Sequence, residues 1–289
     1  MLMKEVVMEQ AKLAKQAALK MAGLTTEQKN SALLSMAKAL ENRQAEIIAA
    51  NVEDVQAAQE KGTRKNMIDR LILNEKRIAD MAEGLRQTAN LPDPIGHQDF
   101  EIVRPNGLRI RRVRVPFGVV GIIYEARPNV TVDAAALCLK SGNACLLRGG
   151  SEAIRTNKIL TDILIEAATS QGLPEHSIEF VAITDRDAVV AMCRLRKLVD
   201  VIIPRGGAGL ITRVVEHSTV PVIETGTGVC HVYVDKEANL EMALKVALSA
   251  KISRPSVCNS METLLIHKYI AETFLPDIAK LMIEHGVEL

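Results

Sequence analysis

The sequence predicts an α/β protein: a parallel sheet with helices on both faces, followed by a smaller α/β part. Three observations carry this expectation. Residues 6–88 are rich in Ala, Leu, Lys and Glu with few β-branched clusters, which is a helical composition. From Phe117 onward, short and fully apolar runs alternate with helical segments, the pattern of βαβ units whose strands are covered on both sides. Between these zones, Pro105-Asn106-Gly107 separates two extended runs, and Asn-Gly is a strong short-range hairpin signal.

The elements follow in order. Thr25-Thr26-Glu27-Gln28 marks a helix start, with a capping threonine and an acidic or amide residue soon after. Lys61-Gly62-Thr63 reads as a break, and two prolines and a glycine within residues 91–96 end the helical zone. Hairpin strands are expected at 100–103 and 108–115. Strands of the parallel sheet are expected at 118–124, 144–148, 178–182, 199–203 and 220–223. Helices are expected between them at 130–140, 151–169, 185–194 and 206–217. A strand at 264–267 and a helix at 268–285 complete the reading.

Composition narrows the function classes. With 36 basic and 35 acidic residues, no electrostatic case exists for nucleic acid or an anionic membrane. Arg109, Arg111, Arg112 and Arg114 crowd one strand, yet lack the interleaved aromatics of a nucleic-acid face, so a solvated or subunit-contacting strand is expected there. Five cysteines without CxxC spacing argue against a disulfide framework or a zinc ribbon, and the six histidines show no metal-ligand spacing, so no metal is expected. No apolar run approaches about 18 residues, so no membrane span is expected. The N-terminus lacks the apolar core of a secretory signal, and a reducing cytosol is the simplest setting.

Unusual residues collect where the strands end. Arg148-Gly149-Gly150-Ser151-Glu152 follows one strand, and Pro204-Arg205-Gly206-Gly207-Ala208-Gly209 follows another and opens a helix. Such turns let a pyrophosphate approach the backbone at a helix N-terminus; either alone reads more readily as a tight turn than as a cofactor site, and the two on neighbouring strands carry the expectation together. Arg148 and Ser151 stand where an NAD site carries an acidic residue, and a cation with a hydroxyl suits a 2′-phosphate, so NADP(H) is expected over NAD(H). Among the cysteines, Cys258 alone lies in a polar loop, beside Arg254. The other four are set in apolar surroundings, where thiols pack as small hydrophobes.

Three runs carry a resemblance: VPFGVVGIIYEARPNV at 115–130, IPRGGAG at 203–209 and SRPSVCN at 253–259. In this order they resemble the gamma-glutamyl phosphate reductases of the aldehyde dehydrogenase superfamily, over essentially the whole chain. The resemblance implies a Rossmann-like NADP(H)-binding domain at 1–225, with the N-terminal helices and a hairpin at about 98–116. It also implies a partial catalytic domain at 226–289, because family members extend well past residue 289. It implies NADPH-dependent reduction of L-glutamyl 5-phosphate in proline biosynthesis, in the cytoplasm. A homo-oligomer at full length and association with glutamate 5-kinase are implied as well.

Carried over by position, Cys258 is the catalytic thiol and Asn129 the amide that holds the oxyanion. Residues 148–152 and 204–209 are the cofactor turns. Glu224, in VIETGTG, falls where hydrolytic relatives keep a general base. It is either a site-lining or a structural residue, since an acyl-phosphate reductase has no water to activate. Arg127 and Arg254 serve either as anion contacts for the substrate or as ion-pair partners. Two other readings remain: another NAD(P)-dependent aldehyde dehydrogenase, and a non-catalytic fragment.

Overall fold

The computed structural model describes residues 3–226, 228–255 and 257–289; Thr227 and Ser256, which fall in two of the motifs quoted above, lie outside them. The chain divides into two compact units, Met1–Thr225 and Gly226–Leu289.

The first unit begins with five helices: α1 (Met3–Met21), α2 (Thr26–Asn42), α3 (Gln44–Glu60), α4 (Lys65–Leu71) and α5 (Glu75–Asn90). The start of α2 is the capping box read from the sequence. Thr25 Oγ1 accepts the Gln28 N–H at 3.3 Å and Gln28 Oε1 accepts the Thr25 N–H at 2.9 Å. An antiparallel hairpin follows, β1 (Gln98–Val103) and β2 (Arg109–Val113), turning through Gly107 at φ 83°. Its arginines face carboxylates of β1: Arg109 and Arg111 pair with Glu101, and Arg112 and Arg114 with Asp99.

The sheet contains β3 (Val119–Tyr124), β4 (Ala144–Arg148), β5 (Ile178–Phe180) and β6 (Val201–Arg205), all parallel, in the order β5-β4-β3-β6. Connecting them are α6 (Asn129–Lys140), a 3₁₀ turn (Ser151–Ala153) leading into α7 (Ile154–Ser170), α8 (Asp187–Cys193) and α9 (Ala208–His217). The alternation along the strands sorts two cores. Val120, Ile122, Tyr124, Cys145 and Leu147 pack with α2, α5, α6 and α7, while Val119, Ile123, Ala144 and Leu146 pack with α1, α8 and α9. Burying a leucine such as Leu146 or Leu147 contributes about 1.5–3 kcal/mol, and both are sealed from solvent.

The strand expected at 220–223 is absent. Only Val222 bridges to Ile202, beside the edge strand β6. Pro221 accepts the Ile202 N–H through its carbonyl but has no N–H of its own to extend a ladder. Pro204 is tolerated within β6 because that strand is the edge of the four-stranded ladder.

The second unit is one βαβ turn with an extra helix: β7 (Cys230–Val234), α10 (Leu240–Ile252), β8 (Met261–Ile266) and α11 (Ala271–Glu284). β7 and β8 are parallel, and Val234, Ala247, Met261, Phe274, Ile278 and Met282 form its core.

Candidate active site and cofactor cradle

The sheet order makes β3 central, with β4 leaving on one side and β6 returning on the other. Ligands of open parallel sheets bind beyond the carboxyl ends of the strands at such a switch point. A cavity of about 400 Å³ lies there. It gathers Glu125 after β3, Arg148 at the end of β4, Gly150 just before the 3₁₀ turn, Ser151 and Glu152 within it, and Gly209 in α9. Five of the ten residues assigned to cofactor turns therefore meet at one cavity: Arg148, Gly150, Ser151, Glu152 and Gly209.

The remainder are placed differently. Gly149 is buried, and a Cβ on it would collide with Asn157 Nδ2 and approach the Tyr124 ring at 2.9 Å, so protein packing requires this glycine. Pro204 is buried inside β6 opposite Ile123, away from the cavity lining. Arg205 is exposed at the end of β6 and lines an apolar groove with Asp133, Leu137 and Phe117 instead. A Cβ on Gly206 would run into the Glu125 side chain at 2.6–2.8 Å, and the Gly207 N–H donates to Glu125 Oε1 at 3.0 Å. A carboxylate thus already rests against the start of α9, where backbone N–H groups favour an anion.

Arg148 is 8 % exposed. Its Nη2 donates to the carbonyls of Thr184 at 3.1 Å and Asp185 at 3.4 Å, while its Nε is buried without a partner. The same cavity is lined by Arg186 and Arg213, which sequence reasoning missed. Their relevance depends on how α8 and α9 fold back over the strand ends, and nothing local distinguishes them from surface arginines.

Asn129 is the first residue of α6 and half-buried. Its Nδ2 donates to Asp133 Oδ2 at 3.0 Å, one turn on, which fixes the amide and leaves one N–H for another acceptor. Burial pushes the Asp133 carboxyl above the ordinary aspartate value, against the opposing Asn129 hydrogen bond and the Arg205 charge. Arg127 is half-buried between Glu125 and α6, and Glu224 is exposed in an irregular segment.

In the second unit Cys258 is exposed in the turn between α10 and β8, with exposed Arg254 four residues earlier. Its carbonyl accepts from Cys230 Sγ at 3.4 Å and lies 3.1 Å from where a Gly228 Cβ would stand. Cys230 is therefore only half-buried, not set in an apolar core as expected, because β7 begins beside the Cys258 turn. The other three thiols are sealed. Burial pushes Cys193 up to about 11, and the neighbouring Cys138 thiol together with burial pushes Cys145 well up. Among the described residues, Cys258 is the only fully exposed thiol. No group of three metal-ligating side chains occurs among them, and no helix there is long and apolar enough to cross a membrane.

Comparison with known proteins gives a consistent result. Residues 2–287 match the model of the aldehyde dehydrogenase family. The gamma-glutamyl phosphate reductase of Moorella thermoacetica is 58% identical over 276 residues, covering 96% of this chain and 66% of that protein. That of Carboxydothermus hydrogenoformans is 56% identical, covering 98% and 68%. The crystal structure of the Thermotoga maritima enzyme superposes with a TM-score of 0.88 at 47% identity, covering 98% of this chain and 68% of that one. The chain thus spans about two thirds of the length of the relatives it matches. With its parallel sheet, strand-end cavity and exposed cysteine turn, this chain belongs to the aldehyde dehydrogenase family, among the gamma-glutamyl phosphate reductases.

Proposed function

We propose that the protein carries out the NADPH-dependent reduction of L-glutamyl 5-phosphate to L-glutamate 5-semialdehyde through a thioester on Cys258. The observation that carries this reading is the exposed Cys258 in a chain whose Cys138, Cys145 and Cys193 are buried. An attacking sulfur needs access and a polar setting, and Cys258 has both.

The residues present fit the dinucleotide. The orphaned Nε of buried Arg148, the Ser151 hydroxyl and the cavity that both residues line suit its adenosine ribose and phosphate. The backbone N–H groups at the start of α9 suit its pyrophosphate, which would take the place of the Glu125 carboxylate now accepting from Gly207. When bound, NADPH supplies the hydride that reduces the acyl carbon.

The chain's own residues do the rest. Cys258 Sγ attacks the acyl carbon, and phosphate leaves with the electron pair of the C–O bond, giving the thioester. The free N–H of the Asn129 amide donates to the carbonyl oxygen as charge develops on it. After reduction the C–S bond breaks, the sulfur leaves as thiolate and the aldehyde is released. Glu224 has no water to activate in this sequence; it lines the site with Arg127 and Arg254, which meet the anionic ends of the substrate. The same reading carries a cytoplasmic setting, a homo-oligomer and association with glutamate 5-kinase.

The test is NADP+ reduction driven by glutamate 5-semialdehyde. Activity that requires inorganic phosphate and vanishes in Cys258→Ser is the expected result. Activity without phosphate overturns the reading and favours a hydrolytic aldehyde dehydrogenase, and near-normal activity in the variant overturns the covalent route.

A further inference from the structure

We propose that Arg186 and Arg213 complete, with Arg148 and Ser151, a subsite for the 2′-phosphate of the dinucleotide, and so set the preference for its phosphorylated form. The proposal rests on the NADP(H) reading above and extends it to two residues that no motif marks.

Three arginines line the strand-end cavity: buried Arg148 from β4, exposed Arg186 at the entry to α8 and half-buried Arg213 from α9. The first is more than nine-tenths buried, and its Nε faces no acceptor. A buried guanidinium with an unmet donor is costly unless something else completes it. Several other arginines of this unit sit on carboxylates: Arg43 on Glu46 and Glu166, Arg86 on Glu41, Arg155 on Glu53 and Asp54. Among the described residues, neither the Arg186 nor the Arg213 guanidinium has a hydrogen-bonded or ion-paired carboxylate.

The cavity's own carboxylates do not balance them. Glu125 is engaged by the Gly207 N–H, which leaves Glu152, in the 3₁₀ turn, as the second acidic group facing the space. Burial lowers the Arg148 pKa, and the nearby Arg186 charge acts in the same sense, against Glu152, Tyr124 and Asp185. Like charges held close in one cavity are what a dianion relieves, and arginine binds phosphate oxygens in a bidentate fork. A 2′-phosphate is the dianion that distinguishes one nicotinamide dinucleotide from the other.

Calorimetric titration with 2′,5′-ADP and 5′-AMP, which differ only in the 2′-phosphate, tests this without any turnover. Wild type is expected to prefer 2′,5′-ADP, and the preference should shrink below about pH 6 as the phosphate takes up its second proton. Arg186→Gln and Arg213→Gln should each weaken 2′,5′-ADP about tenfold or more while leaving 5′-AMP within about twofold, the loss of one charged hydrogen-bonding partner. Unchanged melting curves would establish that both variants fold.

Equal losses for both probes would overturn the proposal, since they assign the arginines to the adenosine or to the scaffold. Retained preference in both variants would overturn it while leaving the NADP(H) reading intact. A wild type that prefers neither probe, or binds neither, overturns both.

Discussion

Gly149→Ala tests whether this glycine serves the protein's packing or the cofactor. The added methyl would collide with the Asn157 amide and press on the Tyr124 ring, and both side chains are sealed from solvent. They belong to a buried chain in which Tyr124 Oη meets Thr131 Oγ1 at 2.6 Å and Thr131 Oγ1 donates to Asn157 Oδ1 at 3.0 Å. Asn157 Nδ2 makes no hydrogen bond, so it is the atom free to yield, but moving it carries Oδ1 away from Thr131. Overpacking costs about 1–3 kcal/mol and a buried hydrogen bond left unmade about 1–3 kcal/mol more. A loss of about 3 kcal/mol corresponds to a fall in Tm of roughly 6–12 °C for a unit of this size. Thermal melting followed by circular dichroism reads this directly. Adding Asn157→Ala should recover part of the loss, because the two changes share one contact. A Gly149→Ala protein that melts within about 2 °C of wild type would refute the packing argument.

Two further expectations concern titration and thiol chemistry. Asp93 feels burial, which alone would raise its carboxyl, but Lys29 at 2.5 Å, the Thr26 hydroxyl and the Ile95 N–H together hold it below the ordinary aspartate value. A carboxyl depressed on folding contributes stability that is complete above its unfolded value of about 3.9 and is lost as pH falls through the folded value. Asp93→Asn should therefore lose less stability than wild type between neutral pH and pH values below about 4 in urea titrations, and equal acid sensitivity would contradict this. Iodoacetamide should label Cys258 first and half-buried Cys230 more slowly, leaving Cys138, Cys145 and Cys193 unmodified until the protein unfolds. Peptide mass mapping checks the order, and native labelling of any sealed thiol at the rate of Cys258 would contradict it.

Much of the fold was legible because its signals are local. The apolar runs at 118–124 and 144–148 carry no polar period, so they read as strands covered on both faces, and β3 and β4 are fully buried. Thr25 and Gln28 announce α2, and Asn106-Gly107 announces the hairpin. The failed strand at 220–223 follows from Pro221, whose missing N–H was in plain view but outweighed by its apolar neighbours. The site divides in the same way. Cys258 stands out by the polarity of its own loop.

The roles of the neighbouring glycines do not show locally, because Gly149 is constrained by Tyr124 and Asn157 from β3 and α7, whereas Gly150 lines the cavity and is crowded by Glu152 and the Glu125–Ala126 backbone. Arg186, Arg213 and the half-buried Cys230 gain their meaning only from tertiary placement. Buried Lys29 is another case: its partner Asp93 lies beyond α5 in the chain, so no helical periodicity anticipates it.

The most direct test of the covalent route supplies glutamate 5-semialdehyde and oxidised dinucleotide while withholding phosphate. A burst of one equivalent of reduced dinucleotide is expected, with one glutamyl group found by mass spectrometry on the peptide bearing Cys258. Steady turnover without phosphate, or an acyl group on any other residue, would contradict it.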